Sequence, residues 1–153
     1  VTIMKIINLC PHPFNLYKET QFVGLKQDRT NLHLWRADQV YGEPLLSIAP
    51  SGIVARVDVK SMAGPNIILN SQSGDEISVA TVTSKYGGLT FPEDKLDGAT
   101  IFLVSLTFAN HAANTGKANH FIQWLVTPYK VVRYNTPQSD VIGACGFNFV
   151  VSR

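Results

Sequence analysis

Thr100-Ile101-Phe102-Leu103-Val104-Ser105-Leu106 is the most apolar run in the chain, and it leads straight into Thr107-Phe108-Ala109-Asn110-His111-Ala112-Ala113-Asn114. The first segment has no polar face, so it predicts a strand buried on both sides. The second is the best helix candidate, and Asn114-Thr115-Gly116 marks its end. Around this pair, short strands dominate. Thr2 to Leu9 reads as a strand rich in β-branched residues, stopped by Pro11 and Pro13, which cannot donate to a ladder. Phe14 to Tyr17 and Leu45 to Ile48 read as further short strands.

Pro50-Ser51-Gly52 is a turn by its residue chemistry. Ile53 to Val59 then alternates, with Ile53, Ala55, Val57 and Val59 on one face, and predicts a half-buried strand. Gly64-Pro65-Asn66 turns the chain and Ile67-Ile68-Leu69 restarts it. Ser71 to Asp75 turns again, and Ile77 to Ser84 is expected to be one alternating strand. Tyr86-Gly87-Gly88-Leu89 reads as a glycine-rich loop. Phe121 to Val126, Tyr129 to Tyr134 and Val141 to Val151 read as closing strands. Lys18 to Glu43 is expected to hold one inserted hairpin or loop. The expected fold is therefore α+β, a single domain over 1–153, mostly antiparallel sheet with one or two short helices. No doubly wound alternation of strands and helices and no internal repeat is visible.

The bulk figures fit a folded domain: 153 residues, 45% hydrophobic and 16% charged. A net charge of +2 with no Lys or Arg run argues against a nucleic-acid polymer as partner. No segment approaches the length of a membrane span. Val1 to Leu9 is too short for a secretory signal and lacks its cleavage pattern. Cys10 and Cys145 belong to no metal spacing. Buried free thiols in a reducing cytoplasm are the expected reading.

Candidate reactive groups are sparse. Cys10 and His12 suggest a nucleophile and base, but Pro11 and Pro13 place them in a turn and no third residue orients the imidazole. Packing and turn formation is the favoured reading. His111 and His120 lack the spacing of a metal pair, so neither metal nor cofactor is expected. Glu93, Asp94 and Asp97 read as a solvated loop. Gly87-Gly88 is not a phosphate loop, because no Gly-Lys-Ser/Thr follows. Arg56 and Arg133 sit within apolar strand contexts, and a guanidinium suits phosphate bidentately. Tyr86 is placed to stack on a purine. Arginines that simply face water, with Tyr86 as a rim aromatic, are the plainer reading of the residues alone.

The blocks Asn8-Leu9-Cys10-Pro11-His12, Pro50-Ser51-Gly52-Ile53-Val54-Ala55-Arg56-Val57, Tyr86-Gly87-Gly88-Leu89, Gly98 to Ser105, Pro128 and Gly143-Ala144-Cys145-Gly146-Phe147 occur in an order that resembles a family of small phage proteins. These are the Thoeris anti-defence sponges of the first described type, in which the opening block reads Asn-Leu-Thr-Pro-His. The resemblance implies a non-enzymatic protein of the infected bacterial cytoplasm. It would sequester a cyclic ADP-ribose isomer, or a related cyclic nucleotide, as a homo-oligomer (dimer or hexamer) with ligand pockets between subunits. It places Arg56 at the phosphate, and Tyr86 with Gly87 at the loop aromatic. The chain departs from the family at Cys10, in the longer segment Lys18 to Glu43, and where the family carries an Arg-Asp pair. Here that region reads Asn119-His120-Phe121-Ile122-Gln123-Trp124, with His120 or Gln123 as substitute donors and Trp124 as a substitute stacker. The alternatives are a hydrolase of the same signal using Cys10, His12 or His120, and a phage structural or host-interaction protein with no small ligand.

Overall fold

The computed structural model describes residues 3–152. The strands are, in chain order, β1 (Lys5–Asn8), β2 (Phe14–Leu16), β3 (Phe22–Val23), β4 (Lys26–Gln27), β5 (Leu34–Ala37), β6 (Gln39–Val40) and β7 (Leu46–Ile48). They continue with β8 (Arg56–Ala63), β9 (Ile67–Asn70), β10 (Glu76–Val79), β11 (Val82–Thr90) and β12 (Thr100–Leu103). The helix α1 (Leu106–Thr115) follows, then β13 (Leu125–Tyr134) and β14 (Val141–Phe149). The fold is α+β, and antiparallel pairings outnumber parallel ones among the described residues.

The main sheet is mixed and runs β1-β12-β13-β14-β2-β7. Long β13 spans two neighbours on one side. Its start pairs parallel with β12 and its end pairs parallel with β5. On the other side it pairs antiparallel with β14. The segment from Lys18 to Glu43 thus supplies more than an appended hairpin. β4 and β5 pair antiparallel, and β5 is an integral strand of the main sheet.

The apolar run behaves as its composition demands. In β12, Phe102 packs into a core beneath α1 with Phe108, Ala109, Ala112, Phe121 and Leu125. Its neighbour Leu103 joins Phe14, Val126 and Ala144 in a second core on the opposite face. Successive strand residues alternate faces, so a strand apolar throughout needs cover on both. Phe91 closes the first core by stacking on Phe121 with centroids 4.1 Å apart, edge-on to Phe102 at 4.9 Å. The helix ends where Asn114-Thr115-Gly116 marks it, but it starts at Leu106, inside the run expected to be strand. Ser105 caps it by accepting from the Phe108 amide, and Gly116 takes a φ of 69°, the left-handed value a β-carbon disfavours.

Several boundaries differ from expectation. The first strand starts at Lys5, and Thr2 lies outside the described residues. The buried strand ends at Leu103, because Ser105 is needed as the cap. Residues 121–124 do not begin a strand: Ile122–Trp124 is a 3-10 turn that carries Phe121 into the core. From Leu125, one strand continues unbroken through Pro128 to Tyr134. Tyr86-Gly87-Gly88-Leu89 is no loop but a bulged part of β11.

The largest correction concerns residues 56–90. The predicted half-buried strand starts only at Arg56, and just its base is covered, where Ala55, Val57 and Leu89 pack on the first core. From Val59 onward β8 is exposed. The expected strand Ile77 to Ser84 splits at Ala80-Thr81, where the Thr81 hydroxyl donates to the Pro65 carbonyl at 2.6 Å. β8 pairs with β11 and β9 with β10, so the whole segment is one long two-stranded ribbon tipped by Ser71 to Asp75.

Candidate functional site

The two motif blocks nearest the N-terminal end of the sequence meet in space. Asn8 is buried, and its side-chain amide donates to the His12 carbonyl at 2.8 Å and the Ile48 carbonyl at 3.2 Å. Its side-chain oxygen accepts from the Cys10 amide at 2.9 Å. The Asn8 carbonyl in turn accepts from the amide and the hydroxyl of Ser51. One side chain therefore shapes the turn through Cys10 and His12 and helps pin the Pro50-Ser51-Gly52 turn that leads into β8. Cys10 is half-buried, with its sulfur 3.8 Å from the Leu103 carbonyl, and burial raises its thiol pKa. A raised pKa holds the thiol in its unreactive form. His12 is exposed and Cys145 is a half-buried free thiol.

Because the Ser51 turn fixes the entry to β8, Val57 faces α1 and Arg56 faces the other side of the ribbon. Tyr86, paired across from Val59, shares the Val57 face. The base of the ribbon and the helix enclose a groove of about 300 Å³ lined by Val57, Tyr86, Thr107, Asn110, His111 and Asn114. The four helix residues stand at i, i+3, i+4 and i+7, one polar stripe of the helix. The Tyr86 and His111 rings lie 5.7 Å apart at 47°. The Nε2 atom of His111 is buried and has no hydrogen-bond partner, and so is Oγ1 of Thr115, one turn further along the helix. Buried polar atoms are nearly always paired, so these two are exceptions; both are closed off from solvent, and Thr115 does not line the groove.

The remaining sequence candidates are dispersed. Arg56 is exposed, makes no ion pair, and is not among the residues that line this groove. Gly87 sits beside Tyr86 in the bulge, close to Asp58. His120 is bound to Glu93 at 2.7 Å on the surface and edges against Phe121. Gln123 is exposed, and Trp124 packs against the first core. Arg133 lies toward the other end of β13, lining a cleft of about 390 Å³ with His33 and Arg36.

That cleft and an adjoining one of about 400 Å³ share Arg36, and both Arg36 and Arg133 are already engaged. Arg36 binds Asp28 at 2.9 Å and donates to the Tyr134 and Thr136 carbonyls. Arg133 donates to the Ser139 carbonyl at 2.9 Å. The Arg36 guanidinium, aided by Thr30 and the Asn31 amide, holds the Asp28 carboxyl far below the usual carboxylate range. These cations fasten loops to β13, and the larger cleft carries Lys26 and Arg29 as well as Asp28 and Asp38. The groove under Tyr86 is the better site for a nucleotide: it sets an aromatic face against a polar helix stripe, of which only the Asn114 amide is engaged, on the Asn110 carbonyl, and neither cleft is lined by a Phe, Tyr or Trp.

Sequence reasoning named Tyr86 but weighed His111 only as a metal ligand. The signal for the rest was the helical spacing of Thr107, Asn110, His111 and Asn114. Among the described residues, no three His, Cys, Asp or Glu side chains cluster as metal ligands, and no helix is long and apolar enough to cross a membrane. No protein-family model, curated protein or solved structure matches the chain.

Proposed function

We propose that this chain captures a cyclic nucleotide signal of the cyclic ADP-ribose type and withholds it from its receptor without degrading it. It would act in the cytoplasm of a phage-infected bacterium, as the ordered sequence blocks imply. The observation that carries the reading is the exposed Tyr86 ring set across a groove from the polar helix stripe of Thr107, Asn110, His111 and Asn114. Tyr86 offers a face to a heterocycle, and His111, Asn110 and Asn114 offer hydrogen bonds to its edge and to ribose hydroxyls. A space of about 300 Å³ is at the lower limit of small-molecule pockets, so it suits a base and its sugar. The pyrophosphate then lies outside the groove and passes around the edge of the ribbon to Arg56, which makes no ion pair and stands on the opposite face. Capture works by affinity alone, so slow release matters and turnover does not.

Calorimetry with cyclic ADP-ribose isomers, followed by heat release and chromatography of the ligand, tests this. The expected result is binding, intact recovered ligand, and affinity lowered at least tenfold in each of Tyr86→Ala, His111→Ala and Arg56→Ala. Recovery of a new product establishes a hydrolase instead. Absence of heat with every cyclic nucleotide tried points to a structural or host-interaction protein.

A further inference from the structure

Arg36 and Arg133 stand side by side on the main sheet. β5 pairs parallel with β13 in a register that sets Leu34 beside Val131 and Arg36 beside Arg133. Side chains two apart on a strand share a face, so the four form one patch with an apolar row and a cationic row. With Asn31 and His33 from the loop before β5, they line the cleft of about 390 Å³, and no acidic residue lines it.

Like charges abreast on a sheet are unfavourable, and a cation drawn out of water is costly unless it is paired. Arg36 has its partner in Asp28 at 2.9 Å. Arg133 is half-buried and makes no ion pair among the described residues. Asp140, the nearest acid along the chain, is exposed and does not reach it. The Ser139 carbonyl that Arg133 holds needs only a neutral donor, so that bond does not explain the charge.

The donors left over indicate what balances it. A guanidinium carries five N–H groups and is always charged. Arg36 uses its Nε on Asp28 and its Nη1 on the Tyr134 and Thr136 carbonyls, which leaves the two Nη2 hydrogens. Arg133 uses one Nη1 hydrogen on Ser139, which leaves four. Together these free donors exceed the roughly four acceptor positions of a carboxylate and suit a phosphoryl group, with three terminal oxygens and a charge of about −1.5 to −2 at neutral pH. Backbone carbonyls hold both forks in place beforehand, which lowers the ordering cost of binding. Leu34 and Val131, both half-buried, lie next to the cations as an apolar floor. We propose that this cleft is an anion site separate from the Tyr86 groove, and that it takes the phosphate of a small phosphomonoester whose organic part rests on Leu34 and Val131.

Calorimetry of the full chain with phenyl phosphate, inorganic phosphate and phenylacetate tests this. Phenyl phosphate is expected to bind, with inorganic phosphate about tenfold weaker for want of the apolar contact and phenylacetate weaker still. Arg133→Gln should lower the affinity for phenyl phosphate by about tenfold or more. His33→Glu, at an exposed loop position, supplies the carboxylate that the cleft lacks. It should cost a similar factor in affinity while the melting midpoint holds or rises, an outcome that damage to the Ser139 loop does not produce. No heat from phenyl phosphate at millimolar concentration overturns the assignment, as does inorganic phosphate or phenylacetate binding as tightly. So does binding that survives His33→Glu but is lost in Arg56→Ala or Tyr86→Ala, because the anion then sits at the ribbon.

Discussion

Asn8→Ala separates a structural opening motif from a reactive one. The side chain makes three hydrogen bonds from a site only 1% exposed: two donated to the His12 and Ile48 carbonyls and one accepted from the Cys10 amide. Alanine removes all three and leaves the backbone groups without them. At about 1 kcal/mol each, the loss is about 3 kcal/mol, a large share of the roughly 5–15 kcal/mol that holds a domain folded. For a chain of this size that lowers the melting midpoint by about 6–12 °C. Ser51→Ala removes the hydroxyl's bond to the Asn8 carbonyl, which keeps the Ser51 amide, and its exposed contacts with the Ile53 amide and carbonyl, so it costs about 1 kcal/mol. Asn8→Asp keeps the acceptor for Cys10 but sets a buried anion against two carbonyls, so at neutral pH it is at least as damaging as alanine. Urea titrations of the three variants rank them. An Asn8→Ala cost below about 1 kcal/mol, or below that of Ser51→Ala, refutes the view that this side chain ties the two blocks together.

Two further outcomes follow from the geometry. Gly143→Ala places a methyl 2.5 Å from the Asn15 carbonyl oxygen and 2.8 Å from the Tyr17 ring, so β2 must shift from β14; thermal melts should show a loss of about 1–3 kcal/mol, and a neutral substitution contradicts the register. The Asp28 carboxyl is held low, first by Arg36 and then by Thr30 and Asn31, so its contribution to stability is present above the ordinary aspartate pKa of about 3.9 and fades as pH falls below it. The stability gap between wild type and Asp28→Asn should therefore be constant from pH 7 to about 5 and narrow below about 4. A gap that widens with acid reverses the sign.

What the sequence disclosed followed from local rules. Phe102 and Leu103 require cover on opposite faces because strand side chains alternate, and Gly116 ends the helix through a cap that needs no tertiary partner, whereas Ser105 was read as strand and caps the helix instead. The parallel pairings of β13 with β12 and β5 were hidden, since strand order is a property of long-range packing. So was the exposure of the ribbon. Val57 and Val59 carry the same alternation signal, yet one packs on the core and the other meets water, and period two gives a face without saying what covers it. The groove was half legible: Tyr86 stood out as an aromatic beside glycines, whereas His111 acquires meaning only once the base of the ribbon lies across the helix.

Arg56 is where the ribbon and the groove bear on the same residue. The Asn8–Ser51 tie fixes the phase in which the chain enters β8, so Val57 lines the groove and the Arg56 guanidinium leaves from the opposite face. Within one chain, a ligand under Tyr86 reaches that cation only around the edge of the ribbon. Combining Arg56→Ala with Tyr86→Ala tests whether one ligand spans both faces: losses of affinity that add mean two independent contacts to a single bound molecule, whereas an Arg56→Ala variant as tight as wild type means that the site under Tyr86 is complete without that cation.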